Sequence, residues 1–177
     1  MASTFAAPAW NWWKGLEIEN LEGERMQVEE SWIVVVFLSE ECPVSNEYLP
    51  VLNRLSEDFR KKGFRIIGAY CDPQAELESI REHRAAYDLN FHLADDRSQK
   101  LVDYCQAQYT PEAFVVGSGG SILYRGRIDN RVGGFGTSRP KATRRDLRQA
   151  MEGLASGQSG PFESTKGFGC AIPEKVR

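Results

Sequence analysis

Hydrophobic residues in this chain fall into short continuous runs and one-sided helical patterns. The run Trp32–Leu38 is β-branched and aromatic and too short for an ordinary helix, so it predicts a strand buried on both faces. After Cys42 and Pro43, apolar residues recur at helical spacing as far as Phe59, and Gly63 ends the pattern. The sequence therefore predicts a buried strand followed by an amphipathic helix, with Cys42 at the junction.

The same alternation of strand and helix patterns continues along the chain. Further strands are predicted at 64–70, 91–94, 112–116 and 121–128, and further helices after residues 72–73, 95–96 and 143–146. The order is β-α-β-α-β-α-β-β-α, with parallel units first and a hairpin and helix last. We therefore expect an α/β fold with a central mixed β-sheet flanked by helices on both faces. Ligand chemistry in such a sheet belongs at the carboxyl ends of the parallel strands, where Cys42 lies.

The length of 177 residues predicts one domain, because domains run to ~100–200 residues. We divide the chain into an aromatic N-terminal extension (1–14), a domain (15–156) and a Gly/Ser-rich tail (157–177) that carries Cys170. The extension contains three tryptophans, which either pack on the domain or dock a partner. No apolar run reaches the ~18 residues of a membrane span, so no integral membrane segment is expected. The N-terminus also lacks the pattern of an intact secretory signal.

Charge and composition narrow the function classes. With 22 basic and 25 acidic residues the net charge is −3, which argues against broad attachment to nucleic acid. Arginines cluster in the last third of the chain. The cluster is either a binding site for an anionic partner or a solvent-exposed charged face. The four cysteines lack the paired spacing of a zinc site, and His83 and His92 are the only histidines. We therefore predict neither a metal nor a cofactor.

Cys42 is the first candidate for chemistry. A thiol just before a helix lies near unpaired backbone N–H groups and the positive end of the helix dipole, and both favour the thiolate. The neighbouring carboxylates of Glu40 and Glu41 oppose this effect, so the direction of the pKa shift stays open. The alternative is a buried structural cysteine.

Three segments together resemble a known family. They are Val-Val-Val-Phe-Leu-Ser-Glu-Glu-Cys-Pro-Val-Ser at 34–45, Tyr-Thr-Pro-Glu-Ala-Phe-Val-Val at 109–116 and Ile-Leu-Tyr-Arg-Gly-Arg-Ile-Asp at 122–129. The chain resembles the thioredoxin-like redoxins, in the branch shared by alkyl hydroperoxide reductase/thiol-specific antioxidant and TlpA-like proteins, over about residues 15–155.

The resemblance implies a thioredoxin-like fold and a thiol-based oxidoreductase that performs thiol–disulfide exchange or peroxide reduction. Cys42 takes the place of the attacking cysteine, with Pro43 beside it. Thr110 and Pro111 take the place of the cis-proline loop that faces the substrate; the alternative for Pro111 is a plain strand-entry proline. The implied partners are a protein thiol or disulfide, or a peroxide, and an external reductant. An exported or periplasmic location, with a leader already removed, is the matching expectation.

Two departures from the family pattern affect the chemistry. Ser45 stands where a Cys-x-x-Cys motif has its second cysteine; its side chain either caps the helix or hydrogen-bonds a thiolate. Against the peroxiredoxin pattern Pro-x-x-x-Thr-x-x-Cys, Ser39 is an acceptable substitute for threonine, but Val35 replaces the proline.

The tail supplies a second candidate thiol. Cys170 is flanked by glycine, and we expect it to be exposed and available for exchange, as a resolving thiol for Cys42 or as a tail cysteine without a partner. Its surroundings resemble the C-terminal Gly-Cys-x-Ile of some exported redoxin-domain proteins. Cys105 is predicted to lie in the core, and the role of Cys71 stays open.

Two alternatives compete with the enzyme hypothesis. A Sco-like copper carrier would use Cys42 and Cys170 with His83 or His92, although Asn46 stands where the usual Cys-x-x-x-Cys has its second cysteine. A catalytically silent thioredoxin-like binding module is the other.

Overall fold

The computed structural model describes residues 11–134 and 136–175. The strands are β1 (Glu19–Asn20), β2 (Trp32–Leu38), β3 (Phe64–Tyr70), β4 (His92–Asp95), β5 (Tyr109–Thr110), β6 (Glu112–Gly117), β7 (Ile122–Gly126), β8 (Val132–Gly134), β9 (Thr137–Ser138) and β10 (Cys170–Ala171). The helices are α1 (Asn11–Leu16), α2 (Pro43–Phe59), α3 (Leu77–Ala86), α4 (Lys100–Cys105) and α5 (Asp146–Ala155).

Six strands form the central sheet in the order β1-β4-β3-β2-β6-β7. The pairs β2–β3 and β3–β4 are parallel, whereas β2–β6, β6–β7 and β1–β4 are antiparallel. The expected mixed sheet is confirmed. Because β2 and β3 are parallel, their carboxyl ends meet at one edge, and the segment that carries Cys42 begins there.

Helices cover both faces of the sheet, as the sequence predicts. Successive side chains of a strand point to opposite faces, and β2 feeds two cores in this way. Val34, Val36 and Leu38 pack with residues of α2, α3 and α5, whereas Ile33 and Phe37 pack with residues of α1 and α4. The continuous apolar run of β2 follows from this burial on two sides.

Several boundaries differ from the predicted ones. Helix α3 begins at Leu77 rather than after Asp72 and Pro73, because the Asp72 carboxylate accepts the N–H of Gln74 and its carbonyl accepts the N–H of Ala75, which closes a turn first. The predicted loop at 129–142 contains the small hairpin β8–β9. Both features depend on hydrogen bonds between residues close in sequence. Such bonds produce no periodic pattern of apolar residues from which the sequence could predict them.

The N-terminal aromatic residues pack where they are described. Trp13 is buried against the α4 side of the sheet and donates from Nε1 to the carbonyl of Met26 at 2.8 Å. Trp12 stacks on Tyr104, and Trp10 lies outside the described residues.

The tail differs from the exposed segment that we expected. Residues 160–173, which we call the C-terminal strap, run along the outer edge of β7 and then past β5. Phe162 and Thr165 donate backbone N–H groups to the carbonyls of Leu123 and Arg125, and β10 pairs antiparallel with β5. The strap brings the second candidate thiol back to the sheet.

No helix among residues 11–134 and 136–175 combines the length and apolar character needed to cross a bilayer.

Candidate active site

Cys42 lies at the carboxyl end of β2 and is the N-cap of α2. Its backbone is extended, Pro43 is the first residue of the helix, and the Cys42 sulfur accepts the backbone N–H of Ser45 at 3.5 Å. Cys42 is 2% exposed. The predicted junction position is confirmed, and the sulfur occupies the place that a serine or aspartate oxygen has at other helix starts.

Cys170 lies directly against Cys42. Their sulfurs are 2.6 Å apart across 128 residues of sequence, and both thiols are free. A disulfide has an S–S bond of about 2.0 Å, so the two sulfurs can bond with little movement. The structure thus brings together the two cysteines that the sequence singled out.

The segment before Pro111 forms the opposite wall. The Thr110–Pro111 peptide is cis, as the family resemblance implies, and the Cys42 thiol lies 3.2 Å from the Thr110 carbonyl oxygen, to which it can donate. Pairing of β10 with β5 sets Cys170 opposite Thr110. The cis-proline loop therefore contacts both halves of the sulfur pair.

The two thiols differ in acidity. Burial acts to raise the pKa of Cys42, but hydrogen bonds to its sulfur, led by that from the Cys170 thiol and followed by the Ser45 backbone N–H, outweigh burial, and the pKa of Cys42 lies below its ordinary value. Burial and the adjacent Cys42 raise the pKa of Cys170 to about 11. The pair therefore ionises first at Cys42.

Ser45 acts through its backbone. Its side chain is fully buried, and the hydroxyl has no hydrogen-bond partner among the described residues. Neither alternative for the Ser45 side chain, a helix cap or a hydrogen bond to the thiolate, is seen among the described residues, and Cys42 is itself the cap.

A buried network holds the cis-proline loop. The Glu112 carboxylate, 2% exposed, accepts from Arg125 Nε at 2.9 Å and from the Gln108 backbone N–H at 2.8 Å. Arg125 also donates to the carbonyl of Gln106. These bonds connect β6 and β7 to the turn that precedes Thr110.

A small cavity of about 230 Å³ opens beside the sulfur pair. Besides the two cysteines, it is lined by Ser39, Glu41, Cys71, Asp72, Thr110, Ala171 and Pro173. Burial raises the pKa of the Cys71 thiol well above its ordinary value, so Cys71 is the least acidic thiol of this region. Cys71 therefore lines the cavity without acting as a nucleophile.

The remaining candidate residues, Cys105, His83 and His92, do not line this cavity. Cys105 is buried in the core, as predicted. Both ring nitrogens of His83 are in use, Nδ1 with the Tyr70 hydroxyl and Nε2 with the Asn46 amide oxygen. Among the described residues no three His, Cys, Asp or Glu side chains are grouped to hold a metal ion, so the copper alternative finds no ligand set there.

Sequence reasoning missed the residues that hold the strap at this site. Gln99 donates from Nε2 to the carbonyls of Cys71 and Pro173, at 3.0 and 2.7 Å. The glycines at 167 and 169 let the strap approach Tyr109 and Thr110. Their two-residue spacing, which puts both on one face of an extended chain, is the signal that could have found them.

Comparison with protein families decides the assignment. The model of the AhpC/TSA family matches residues 5–125, more than half of the chain. The chain belongs to the AhpC/TSA family. Among curated relatives of this AhpC/TSA protein is the thiol-disulfide oxidoreductase ResA of Bacillus cereus, 22% identical over 109 residues. That match covers 60% of this chain and 62% of the relative's length.

Solved structures show the same fold for this AhpC/TSA protein. An uncharacterized conserved protein of Geobacillus kaustophilus has a TM-score of 0.76, 22% identity and 91% and 89% coverage of the two chains. A hypothetical protein of Sinorhizobium meliloti 1021 has a TM-score of 0.75, 22% identity and 88% coverage of both. A secreted disulfide oxidoreductase of Mycobacterium tuberculosis has a TM-score of 0.57 and 16% identity, with 80% of this chain and 98% of that chain covered.

Proposed function

We propose that this AhpC/TSA protein is a thiol–disulfide oxidoreductase in which Cys42 is the nucleophile and Cys170 the resolving thiol. The observation that carries the proposal is the sulfur–sulfur distance of 2.6 Å between the more acidic and the less acidic thiol. Family membership and the similarity to the oxidoreductase ResA support it.

The first step is attack by the Cys42 thiolate on a substrate disulfide. A bond forms between Cys42 and one substrate sulfur, and the other substrate sulfur leaves as a thiolate. Cys42 suits this role because its pKa is below the ordinary value.

The second step is attack by the Cys170 thiolate on the Cys42 sulfur of the mixed disulfide. The Cys42–Cys170 bond forms and the second substrate sulfur leaves, so the substrate has gained two electrons and the pair has lost them. The pair returns to the dithiol when an external dithiol reductant reduces it by the same exchange.

The neighbouring residues shape the place where the substrate binds. Pro43 is the first residue of the helix, where it needs no partner for a backbone N–H. The backbone N–H of Ser45, two residues later, donates to the Cys42 sulfur. Thr110 and Pro111 present the backbone that faces the sulfur pair. We assign these four residues to substrate binding.

Peroxide reduction is the second candidate, favoured by the cavity of about 230 Å³ beside the sulfurs. Here the Cys42 thiolate attacks the terminal oxygen of a hydroperoxide, the O–O bond breaks, and a proton completes the leaving alcohol. Cys170 then attacks the Cys42 sulfenic acid and water leaves, giving the same disulfide.

The decisive experiment is non-reducing peptide mapping by mass spectrometry after mild oxidation. We expect a Cys42–Cys170 linkage in the wild type and in Cys105→Ser, a matched control for removing one buried cysteine, and no such linkage in Cys42→Ser or Cys170→Ser. The same samples are then assayed against a disulfide-containing protein and against hydrogen peroxide, which separates the two candidate substrates.

A wild-type Cys42 that stays free and unreactive would exclude the enzyme hypothesis. Stoichiometric retention of Cu(I) without reductase turnover would indicate a copper carrier. A protein that binds a partner but neither retains Cu(I) nor turns over a disulfide would be a silent binding module.

A further inference from the structure

The strap pairs with a strand edge whose backbone groups can also pair with another extended chain. We call residues 108–110 the docking edge; they stand outside the six-stranded sheet, and their strand pairing is with the strap. Cys170 lies opposite Thr110, Ala171 lies opposite Tyr109, and the N–H of Ile172 donates to the carbonyl of Gln108 at 3.2 Å. An extended polypeptide binds an open strand edge through these same backbone groups.

The strap fits the docking edge so closely that only glycine is tolerated just before the cysteine. A Cβ atom on Gly169 would overlap the Thr110 carbonyl oxygen and lie 2.7 Å from its carbonyl carbon. A Cβ on Gly167 would lie 2.6 Å from the Tyr109 hydroxyl, which accepts the Gly167 N–H. Any chain that takes this position with its cysteine against Cys42 meets the same limit.

With the strap in place, a polypeptide cannot reach the nucleophile. Cys42 is 2% exposed and Thr110 is 1% exposed. The strap itself lies on the surface, because every residue of 160–173 is half-buried or exposed. Less buried segments open at lower free-energy cost than the buried strands beneath them, so the strap can leave while the sheet stays folded.

We propose that the strap and an extended polypeptide substrate compete for the docking edge, and that the preferred substrate carries Gly-Cys at the positions of Gly169 and Cys170. This inference rests on the proposed function and adds the class of substrate and the manner of its release. In the reduced protein the strap exchanges with the substrate, whose cysteine becomes disulfide-bonded to Cys42 as the other substrate sulfur leaves.

Return of the strap then completes two events together. Cys170 attacks Cys42 and displaces the substrate sulfur, and the strap takes back the backbone hydrogen bonds that held the substrate strand. Resolution of the mixed disulfide and release of the product are therefore one step. In the oxidised protein the Cys42–Cys170 bond ties the strap down and keeps the edge closed.

The first test uses peptides in place of the unidentified substrate. The Cys170→Ser variant is mixed with the hexapeptide Phe-Gly-Cys-Ala-Ile-Pro, activated as an aromatic disulfide, and formation of the adduct at Cys42 is followed by mass spectrometry. The matched peptide has alanine in place of its glycine. Because one added methyl group overlaps the Thr110 carbonyl, we expect the glycine peptide to react about tenfold faster or more. Equal rates for the two peptides would overturn the inference.

The second test releases the strap without changing a cysteine. In the reduced protein, Gly169→Ala excludes the strap from the docking edge, and we expect alkylation of Cys42 by iodoacetamide to accelerate by about tenfold or more. Gly119→Ala is the matched control, because a Cβ there meets nothing within 4 Å. An unchanged rate in Gly169→Ala, with a native circular dichroism spectrum, counts against the strap as a competitor.

Failure of this inference and failure of the proposed function are distinguishable. If the wild type forms the Cys42–Cys170 disulfide and the peptides do not discriminate, the oxidoreductase proposal stands and the competition for the docking edge falls. If the peptide test cannot be run because a variant unfolds, the wild type supplies the answer with peptides that have serine in place of cysteine: Phe-Gly-Ser-Ala-Ile-Pro, and not Phe-Ala-Ser-Ala-Ile-Pro, should speed alkylation of Cys170 by displacing the strap.

Discussion

Ser45 shows at the scale of one residue how this site replaces a Cys-x-x-Cys pair. It stands three residues after Cys42 and is fully buried, and the site uses its backbone N–H while its hydroxyl finds no partner among the described residues. The second sulfur comes instead from Cys170, 128 residues away. In the proposed mechanism, the chemistry of a local dithiol is thus divided between a helix start and a distant strap.

A thiol introduced by Ser45→Cys should compete with Cys170 for Cys42. Position 45 lies in the first turn of α2, where its backbone N–H already reaches the Cys42 sulfur at 3.5 Å, so we expect peptide mapping after mild oxidation to find a linkage between positions 42 and 45. Ser45→Ala is the control and should keep the Cys42–Cys170 linkage. A Ser45→Cys protein that still joins only Cys42 and Cys170 would show that the helix start holds the two positions apart.

The acidity of Cys42 depends on its neighbour. The thiolate is the reactive form, so a lowered pKa moves the midpoint of its pH–rate profile for alkylation below that of an ordinary cysteine. Cys170→Ala removes a thiol that donates to the Cys42 sulfur, and we expect the midpoint to move to higher pH. Loosening of the strap would relieve the burial of Cys42 and move the midpoint to lower pH, so it cannot mimic this shift; a midpoint that does not rise would contradict the hydrogen bond as the dominant effect.

At the scale of elements, helix α4 is positioned by a buried carboxylate. Asp96 is fully buried and accepts the backbone N–H groups of Leu101 and Val102, at 2.9 and 3.1 Å. The sequence indicated a capping residue at 95–96, and the structure assigns that role to Asp96. Gln99, between this carboxylate and the helix, then reaches the strap at Pro173.

Asp96 gives the fold a specific pH dependence. Burial outweighs its hydrogen bonds and raises its pKa from 3.8 to about 6. The folded protein therefore binds this proton more tightly than the unfolded chain, and stability from Asp96 is lost as pH rises from about 4 to 6. Relative to Asp96→Asn, the wild type should lose about 2–3 kcal/mol of unfolding free energy over this window, measured by urea denaturation.

The matched control is Glu82→Gln, which removes one exposed carboxylate that is not among the groups that shift the pKa of Asp96. It should track the wild type across the same pH range. A difference between wild type and Asp96→Asn that stays constant from pH 4 to 6 would mean that Asp96 does not titrate there.

The sequence predicted the elements that have a hydrophobic period, and missed those made by backbone contacts. Strands β2 and β3 and helix α2 were predicted with nearly correct bounds, because their side chains fill two cores. The pair β5–β10 has two residues on each side and depends on glycine and backbone groups, which carry no periodic signal. Cys42 was therefore placed from its own surroundings, whereas the contact with Cys170 needed the fold.

For the whole molecule, the proposed Cys42–Cys170 disulfide would join the start of α2 to the C-terminal strap. That bond would close a loop across 128 residues, so it would restrict the unfolded chain far more than a Cys-x-x-Cys bond does. In the proposed mechanism, oxidation state and folding stability are consequently linked.

The oxidised protein should unfold at a higher temperature than the reduced protein. A loop of this size stabilises the folded state by about 4–5 kcal/mol in the chain-entropy description. That corresponds to a rise in Tm on the order of 10 °C for a domain of this length. Differential scanning calorimetry with and without reductant measures it, and Cys170→Ser should show the same Tm in both conditions.

The strap also covers the outer edge of β7, where it donates to the carbonyls of Leu123 and Arg125. A strap that lifts leaves these groups facing water, and a second molecule carries a segment shaped to satisfy them. In concentrated reduced protein we expect two chains to exchange their straps. Later oxidation should trap the exchanged pair as a covalent dimer, which a non-reducing gel detects. In that dimer each sulfur pair would combine Cys42 of one chain with Cys170 of the other. The dimer would then contain as many active sites as folded chains, although neither chain would be active alone.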